Sequence, residues 1–223
     1  MSDRGNKPMR LYFHPFSSFC QKVLIALYEN GTPFEPRFID LADPASSAEL
    51  KRLSPIGKFP VLRDEARGET IPESTIIIEY LARHYPGPTE LVPRDADLAF
   101  ETRMRDRFYD LNVSVPMQKI VGDRLRPAGK RDPHGVEEAK AALEVAYALI
   151  DAEMATKMWA VGDTFTMADC AAAPAMYYAN LVMPLGDAYE NASAYHRRLL
   201  ERPSFARAVD EAKPYRDLFP KET

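Results

Sequence analysis

Segments with the pattern of β-strands occur only before residue 87 of this chain. The first, residues 9–14, is rich in strand-forming side chains and is stopped by Pro15. From Ser18 the apolar residues recur at helical spacing up to Asn30, and Gly31 suits a helix C-terminus. A second strand follows at residues 34–39. Strand, helix and strand in this order predict a parallel pair with a right-handed crossover, so the chain opens as an α/β unit.

The same region continues with a helix, two strands and a third helix. Residues 45–53 have helical character, and residues 61–63 and 70–71 are short strand-like runs that predict an antiparallel hairpin. Ser74 is predicted to cap the helix that follows, which ends at the prolines of residues 86–88. The predicted order over residues 8–86 is therefore β-α-β-α-β-β-α.

Beyond residue 86 the pattern is helical. Residues 87–95 are proline-rich and predict a linker, and residues 96–223 predict an all-helical domain. A long amphipathic helix is predicted at residues 137–158, and its core-facing positions are Ala139, Leu143, Ala146, Tyr147, Ile150 and Met154. A second helix is predicted at residues 164–182, where Thr166 and Asp169 have the spacing of a capping box. The chain thus has an α/β domain and a helical domain.

Charge and cysteine content narrow the class of protein. The formal net charge of −4 gives no electrostatic reason to expect binding to nucleic acid or to an anionic membrane. Two cysteines do not make a disulfide framework, and the first ten residues lack an apolar signal segment. The four histidines are scattered without metal-ligand spacing, so no metal site is expected. A globular cytoplasmic chain without a membrane span is the expectation.

Three short segments of the first domain carry chemistry. Residues 17–20, SSFC, lie on the turn into the first helix, where hydroxyls and backbone N–H groups favour an anion. Residues 58–60, KFP, place a candidate cis-proline before the third strand, which leaves the peptide groups of Phe59 free to pair with a ligand. Residues 73–74, ES, place a carboxylate and a hydroxyl at a helix start. Together they predict a pocket for a small peptide with a free thiol.

The sequence resembles the cytosolic glutathione transferases along nearly its whole length. The stretches that carry the resemblance are LYFHPFSSFCQKVLIAL, SPIGKFPVL, PEST at residues 72–75 and FTMADCAAAP. The resemblance implies a thioredoxin-like first domain, an all-helical second domain and a homodimer. It also implies detoxification chemistry in which glutathione is the co-substrate of a small electrophile.

The resemblance also implies which residue activates the thiol. Ser17 resembles the activating serine of the serine-type classes, which include the theta and zeta classes and related bacterial enzymes. Ser18 resembles the neighbouring residue that shares this role. The N-terminal tyrosine of other classes has no good counterpart, because Tyr12 lies inside the first strand.

Five further residues match glutathione-binding positions of the family. Lys58 matches the side chain that binds the glycine carboxylate, and Phe59 matches the residue whose backbone pairs with the cysteinyl part. Pro60 matches the cis-proline. Glu73 and Ser74 match the pair that binds the γ-glutamyl end.

A serine hydroxyl activates a thiol by donating a hydrogen bond to the thiolate. Lowering a thiol pKa from about 8.5 by two units requires about 2.7 kcal/mol, which a charge-assisted hydrogen bond and a helix N-terminus can supply. The thiolate then attacks an electrophile held against the helical domain. The candidate residues for that electrophile pocket are Phe16, Phe108, Tyr109, Asn112 and Met117. Five basic residues against one acidic residue at 119–131 favour an anionic co-substrate.

Other functions fit the same residues. Ser17 and Cys20 occupy the positions of a Cys-x-x-Cys motif in thioredoxin-like redox proteins, so Cys20 is either a redox thiol or a packing residue. A glutathione-dependent isomerase, or a thiol or peroxide reductase, is therefore the alternative enzyme. A non-catalytic glutathione-binding protein is the alternative without turnover.

Overall fold

The structure is a computed structural model that describes residues 9–221, so the predicted domain limits at residues 8 and 223 lie outside it. The strands are β1 (Met9–Phe13), β2 (Phe34–Phe38), β3 (Val61–Asp64) and β4 (Glu69–Pro72), and the helices between and after them are α1 (Ser18–Glu29), α2 (Pro44–Leu53) and α3 (Ser74–His84). The sheet order is β2-β1-β3-β4, with β2 parallel to β1 and the other pairs antiparallel. The predicted thioredoxin-like arrangement is confirmed.

The start of α3 differs from its prediction. Ser74 is the first residue of the helix, and Glu73 occupies the cap position without a side-chain capping bond. Glu73 has a φ of 71°, the one positive φ of a non-glycine residue in the described chain. The prediction that Ser74 caps this helix is therefore wrong, because the chain turns sharply at Glu73 and takes Ser74 into the first turn.

Every longer element after α3 is helical. They are α4 (Ala96–Phe108), a π-helix (Tyr109–Ser114), α5 (Val115–Arg124), α6 (Pro133–Met154), α7 (Met167–Val182), α8 (Glu190–Glu201), α9 (Pro203–Ala212) and a 3₁₀ helix (Lys213–Leu218). The long helix α6 starts and ends four residues earlier than predicted, and all six of its predicted core residues are buried. The capping box of Thr166 and Asp169 is confirmed at the start of α7.

Helix α1 joins the two parts of the molecule. It is almost wholly buried and packs against α3, α7 and α9. Three of its polar side chains reach the helical part: Gln21 donates to the Tyr178 hydroxyl, Lys22 pairs with Asp110, and Glu29 binds the Arg202 guanidinium through both of its oxygens. Sites at the N-terminus of α1 are thus held rigidly against both parts.

Between residues 9 and 221, no helix is both long enough and apolar enough to span a membrane.

Candidate functional site

A cavity of about 250 Å³ brings the predicted peptide-binding residues together. It lies between the segment before β3, the start of α3 and the first turn of α5. Five of its lining residues were predicted, and they are Lys58, Phe59, Pro60, Glu73 and Ser74. The others are Phe19, Ser54, Ile56, Pro72, Val115 and Gln118.

The wall formed by residues 58–60 leaves a peptide edge open. The Phe59–Pro60 bond is cis, as predicted, and Pro60 is buried directly before β3. Within residues 9–221 neither the N–H nor the C=O of Phe59 takes part in a backbone hydrogen bond. Lys58 is exposed at the rim. This wall therefore offers a donor and an acceptor to an extended ligand, with a cation beside them.

The opposite wall is the N-terminus of α3. Ser74 is buried at 5% exposure, whereas Glu73 is exposed. The first bond of the helix runs from the Ile77 N–H to the Glu73 carbonyl at 2.8 Å, so the N–H groups before Ile77 have no partner within the helix. A helix N-terminus attracts a carboxylate, and the Glu73 carboxylate attracts an ammonium group. The pair can bind both ends of an α-amino acid.

A second depression, of about 280 Å³, lies at the N-terminus of α1 and shares Phe59 with the first cavity. Ser17 lines it, together with His14, Phe16, Asp40, Leu41 and Ala42. The Ser17 Oγ caps α1 by accepting the N–H of Cys20 at 3.4 Å. Because a hydroxyl that accepts a bond retains its own proton, Ser17 can cap the helix and donate to a ligand at the same time.

The neighbours of Ser17 are less available. Ser18 is buried at 9% exposure and lines neither depression. Cys20 is fully buried, and burial raises the pKa of its thiol to about 12. A buried thiol with a raised pKa is unreactive. The redox role considered for Cys20 is therefore corrected to packing in the core, and Ser17 is the accessible hydroxyl of this segment.

His14 is a site neighbour that the sequence reasoning missed. Its Nδ1 accepts the N–H of Phe16 at 3.1 Å, and its ring lies 6.2 Å from the Phe59 ring and 4.8 Å from the Tyr215 ring. Burial lowers the pKa of His14, although the charge of Asp40 opposes this shift. A neutral imidazole whose Nδ1 accepts a bond carries its proton on Nε2. His14 therefore stiffens the turn that precedes Ser17.

The predicted electrophile residues have mixed outcomes. Phe16 lines the depression beside Ser17, Phe108 is half-buried and Asn112 is exposed. Tyr109 is 1% exposed with its hydroxyl bonded to Tyr195, and Met117 is 4% exposed. Neither of these two can contact a ligand, so their assignment to a pocket is wrong.

The residues that the helical part does contribute to the first cavity are Val115 and Gln118. They follow the π-helix at Tyr109–Ser114, which has a wider turn than an α-helix. Extrapolating a regular helix from Phe108 assigns the wrong side chains to the cavity. No local signal in the sequence marks Val115 or Gln118.

The side chains in the described part of the chain do not form a metal-binding cluster. No group of three or more His, Cys, Asp and Glu side chains there is arranged to hold a metal ion.

Comparisons with known proteins agree with this architecture. Residues 11–89 match the family model of the glutathione S-transferase N-terminal domain, and residues 113–203 match that of the C-terminal domain. Among curated proteins, glutathione S-transferase GstB of Escherichia coli (strain K12) is 26% identical over 194 residues, covering 86% of this chain and 93% of the relative. A probable maleylacetoacetate isomerase of Caenorhabditis elegans is 28% identical over 214 residues, covering 94% and 96%.

A solved structure is also similar over most of the chain. The glutathione S-transferase of Methylobacillus flagellatus, determined with glutathione bound, superposes with a TM-score of 0.82 at 26% identity, covering 90% of this chain and 98% of that one. The two family models match consecutive parts of this chain that correspond to its sheet-containing and helical parts. The chain therefore belongs to the glutathione S-transferase family.

Proposed function

We propose that this protein is a glutathione transferase, which activates the thiol of glutathione for attack on a small electrophile. The observation that carries the proposal is the 250 Å³ cavity, in which residues 58–60 and residues 73–74 face a single space beside the N-terminus of α1. A structural relative with glutathione bound supports the same ligand.

Glutathione matches the polar groups of this cavity from end to end. Its γ-glutamyl end carries an ammonium group and a carboxylate, which suit the Glu73 carboxylate and the open N-terminus of α3. Its cysteinyl peptide pairs with the unbonded N–H and C=O of Phe59. Its glycine carboxylate lies near the Lys58 ammonium. The sulfur then points toward Ser17, in the depression that shares Phe59.

Ser17 is the proposed thiolate stabiliser, which makes this a serine-type enzyme. Its Oγ accepts the Cys20 N–H, and a hydroxyl that accepts a bond keeps its own proton, which it can donate to the thiolate of a bound ligand. The first N–H groups of α1 add positive potential at the same point. A hydrogen bond to a charged group is worth about 1.5–3 kcal/mol, enough to lower a thiol pKa by one to two units.

Replacing Ser17 tests this role. In Ser17→Ala the pKa of bound glutathione, followed by the ultraviolet absorbance of its thiolate, should rise by about one unit or more. The value of kcat/KM for a model electrophile below that pKa should fall about tenfold, whereas the glutathione Kd from calorimetry should change little. Ser18→Ala is the matched control and should behave as wild type. An unchanged thiol pKa in Ser17→Ala would refute the assignment.

A glutathione-dependent isomerase is the second candidate function. The similarity to a probable maleylacetoacetate isomerase is the observation that favours it. An isomerase adds the thiolate to a cis double bond and releases it again, so glutathione is not consumed. Counting the glutathione used per product distinguishes this reaction from conjugation. Tight glutathione binding in calorimetry without either reaction would identify a non-catalytic protein instead.

We also propose a homodimer formed through α3 and α4. Four large apolar side chains on α3, α4 and the π-helix that continues α4 are exposed by 47–69%: Ile76, Phe100, Met104 and Leu111. A groove between the two helices, lined by Ile76 and Arg103, adds concave surface. Sedimentation velocity should give a dimer for the wild type and a monomer for Phe100→Asp. Leu125→Asp, an equally exposed site on the loop after α5, should remain dimeric. A wild-type monomer would contradict this assembly.

A further inference from the structure

A cavity of about 380 Å³ adjoins the depression that holds Ser17, because Phe16 lines both of them. The residue Phe16, helix α7 and the last segment of the described chain enclose it. Its lining residues are Phe16, Arg124, Tyr177, Leu181, Arg216, Asp217, Phe219, Pro220 and Lys221. A ligand in this cavity therefore lies next to the depression in which the thiolate is proposed to be held.

One side of this cavity is aromatic and held in place. The Phe16 ring meets the Tyr178 ring edge-on at 5.5 Å and the Phe219 ring at 6.2 Å. The Tyr178 hydroxyl donates to the Phe16 carbonyl at 3.0 Å, and the buried Gln21 amide donates to the same hydroxyl at 3.1 Å. Although Phe16 lies in a loop, its backbone is therefore fixed. A fixed aromatic wall suits a flat apolar ligand.

The other side of the cavity is positively charged. Among residues 9–221, three cations line it against a single carboxylate, Asp217, although the whole chain has a net charge of −4. The Arg124 guanidinium donates to the Pro220 carbonyl at 3.3 Å and so holds the segment that follows the 3₁₀ helix. Arg216 and Lys221 form no ion pair with any residue between 9 and 221. Two cations without a carboxylate partner beside an aromatic wall attract an apolar anion.

The segment that carries these cations is folded back onto the glutathione side of the molecule. The Tyr215 ring stacks on the Phe38 ring at 5.6 Å and meets the His14 ring edge-on at 4.8 Å. The Phe219 ring stacks on the Tyr178 ring at 6.1 Å. Arg216 lies between these two anchored rings in sequence. Arg216 is therefore held beside the cavity that it lines.

We infer that this cavity binds the co-substrate of the proposed transferase, and that the co-substrate is an aromatic compound carrying a carboxylate or sulfonate. The inference rests on the proposed function, and it names the substrate class. The ring packs on Phe16, Tyr177 and Phe219, and the anion lies near Arg216 and Lys221. The electrophilic carbon then faces the depression of Ser17.

Binding of a matched pair of probes tests the charge preference without turnover. Naphthalene-2-sulfonate should bind more tightly in calorimetry than naphthalene-2-sulfonamide, which has the same ring and no charge. Arg216→Gln and Lys221→Gln should each weaken sulfonate binding about two- to fivefold, the range expected for an exposed cation. Lys213→Gln is the matched control, since Lys213 lies on the same 3₁₀ helix outside the cavity and pairs with Asp210. Equal binding of the two probes, or an equal loss in Lys213→Gln, would overturn the inference.

Turnover separates this inference from the proposed function. The substrates are 4-(bromomethyl)benzoate and its methyl ester, which carry the same benzylic halide with and without charge. Glutathione thiolate displaces bromide from either one, and the ratio of kcat/KM for the benzoate to that for the ester should fall in Arg216→Gln. If the enzyme conjugates the ester without preferring the benzoate, the inference alone is wrong. If it binds the sulfonate selectively but conjugates neither halide, the proposed function is wrong, and the co-substrate role with it.

Discussion

Lys22 is the central cation of a buried network of charged and polar side chains between the two parts of the molecule. Its side chain on α1 is 1% exposed, and its Nζ lies 2.6 Å from the Asp106 Oδ1 and 2.8 Å from the Asp110 Oδ2. It also donates to the Thr75 hydroxyl at 2.9 Å. Thr75 follows Ser74 at the start of α3, so the network ties the peptide cavity to α4 and the π-helix.

Replacing Lys22 by Met keeps most of the side-chain volume and removes the charge. Two carboxylates with 0% and 6% side-chain exposure then lose their buried cation. Removing one partner of a buried ion pair lowers the free energy of unfolding by about 3–5 kcal/mol. Arg107 still contacts both Asp106 and Asp110, which places the expected loss near the lower end, at about 3 kcal/mol.

The loss should depend on pH. Burial raises the pKa of Asp110, and the charge of Asp106 acts in the same direction, while Lys22 and Arg107 oppose it. A carboxylate with a raised pKa binds protons more tightly in the folded state, so its contribution to stability is present at low pH and is lost as the pH rises through the folded pKa. Without Lys22 that pKa rises further. The stability difference between Lys22→Met and wild type should therefore be smaller at pH 5 than at pH 8.

Urea denaturation followed by circular dichroism measures this difference. The free energy of unfolding should fall by about 3 kcal/mol at pH 8, and the double variant Lys22→Met/Asp110→Asn should recover part of the loss because one uncompensated charge is gone. Lys51→Met, an exposed lysine of α2, is the control and should stay within about 0.5 kcal/mol of wild type. A loss below about 1 kcal/mol, or one that does not change between pH 5 and pH 8, would refute the reasoning.

Three further predictions concern the site and the core. Lys58→Ala should raise the KM for glutathione about three- to tenfold with kcat little changed, because the ion pair between Lys58 and the glycine carboxylate of glutathione is lost. Lys51→Ala is the control. An equal effect in Lys51→Ala would contradict a direct contact between Lys58 and glutathione. Cys20 should resist alkylation by iodoacetamide in the native protein and react only after unfolding, since burial raises its thiol pKa to about 12; rapid native labelling, located by mass spectrometry, would contradict this. Asp169→Asn should destabilise the fold by about 1–3 kcal/mol in thermal or urea unfolding, because its oxygens accept bonds from Ala160, Thr166 and Tyr195. The exposed Asp163→Asn should be neutral, and equal stability of the two variants would contradict the role of Asp169.

Local chemistry made several features of this protein predictable. The strand at residues 9–13, the cis bond before Pro60 and the capping box of Thr166 and Asp169 depend on side chains within a few positions of one another. The strand and the helix cap follow from short-range preferences, and proline is the residue that makes a cis peptide bond accessible at that position. Such features can be found without knowing how distant segments pack.

Other features were missed because they depend on distant segments. The start of α3 follows from the positive φ at Glu73, which no propensity rule expects of glutamate. Tyr109 and Met117 share helical spacing with candidate pocket residues, but the π-helix and the hydroxyl of Tyr195 take Tyr109 into the core. Val115 belongs to the cavity only because the fold places the first turn of α5 across it from the start of α3.

The sequence alone determined the order of strands and helices and the change to an all-helical part after the proline-rich segment. It also identified the residues predicted to bind a small peptide with a free thiol. These follow from periodicity, from turn residues and from the resemblance to a family. Only the tertiary structure decided that Ser17 is accessible while Ser18 and Cys20 are buried, and that Arg216 and Lys221 line one cavity with Phe16. The physical reason is that burial and electrostatic surroundings are properties of packed neighbours, and here those neighbours include Phe16 and Lys221, which are 205 residues apart in the chain.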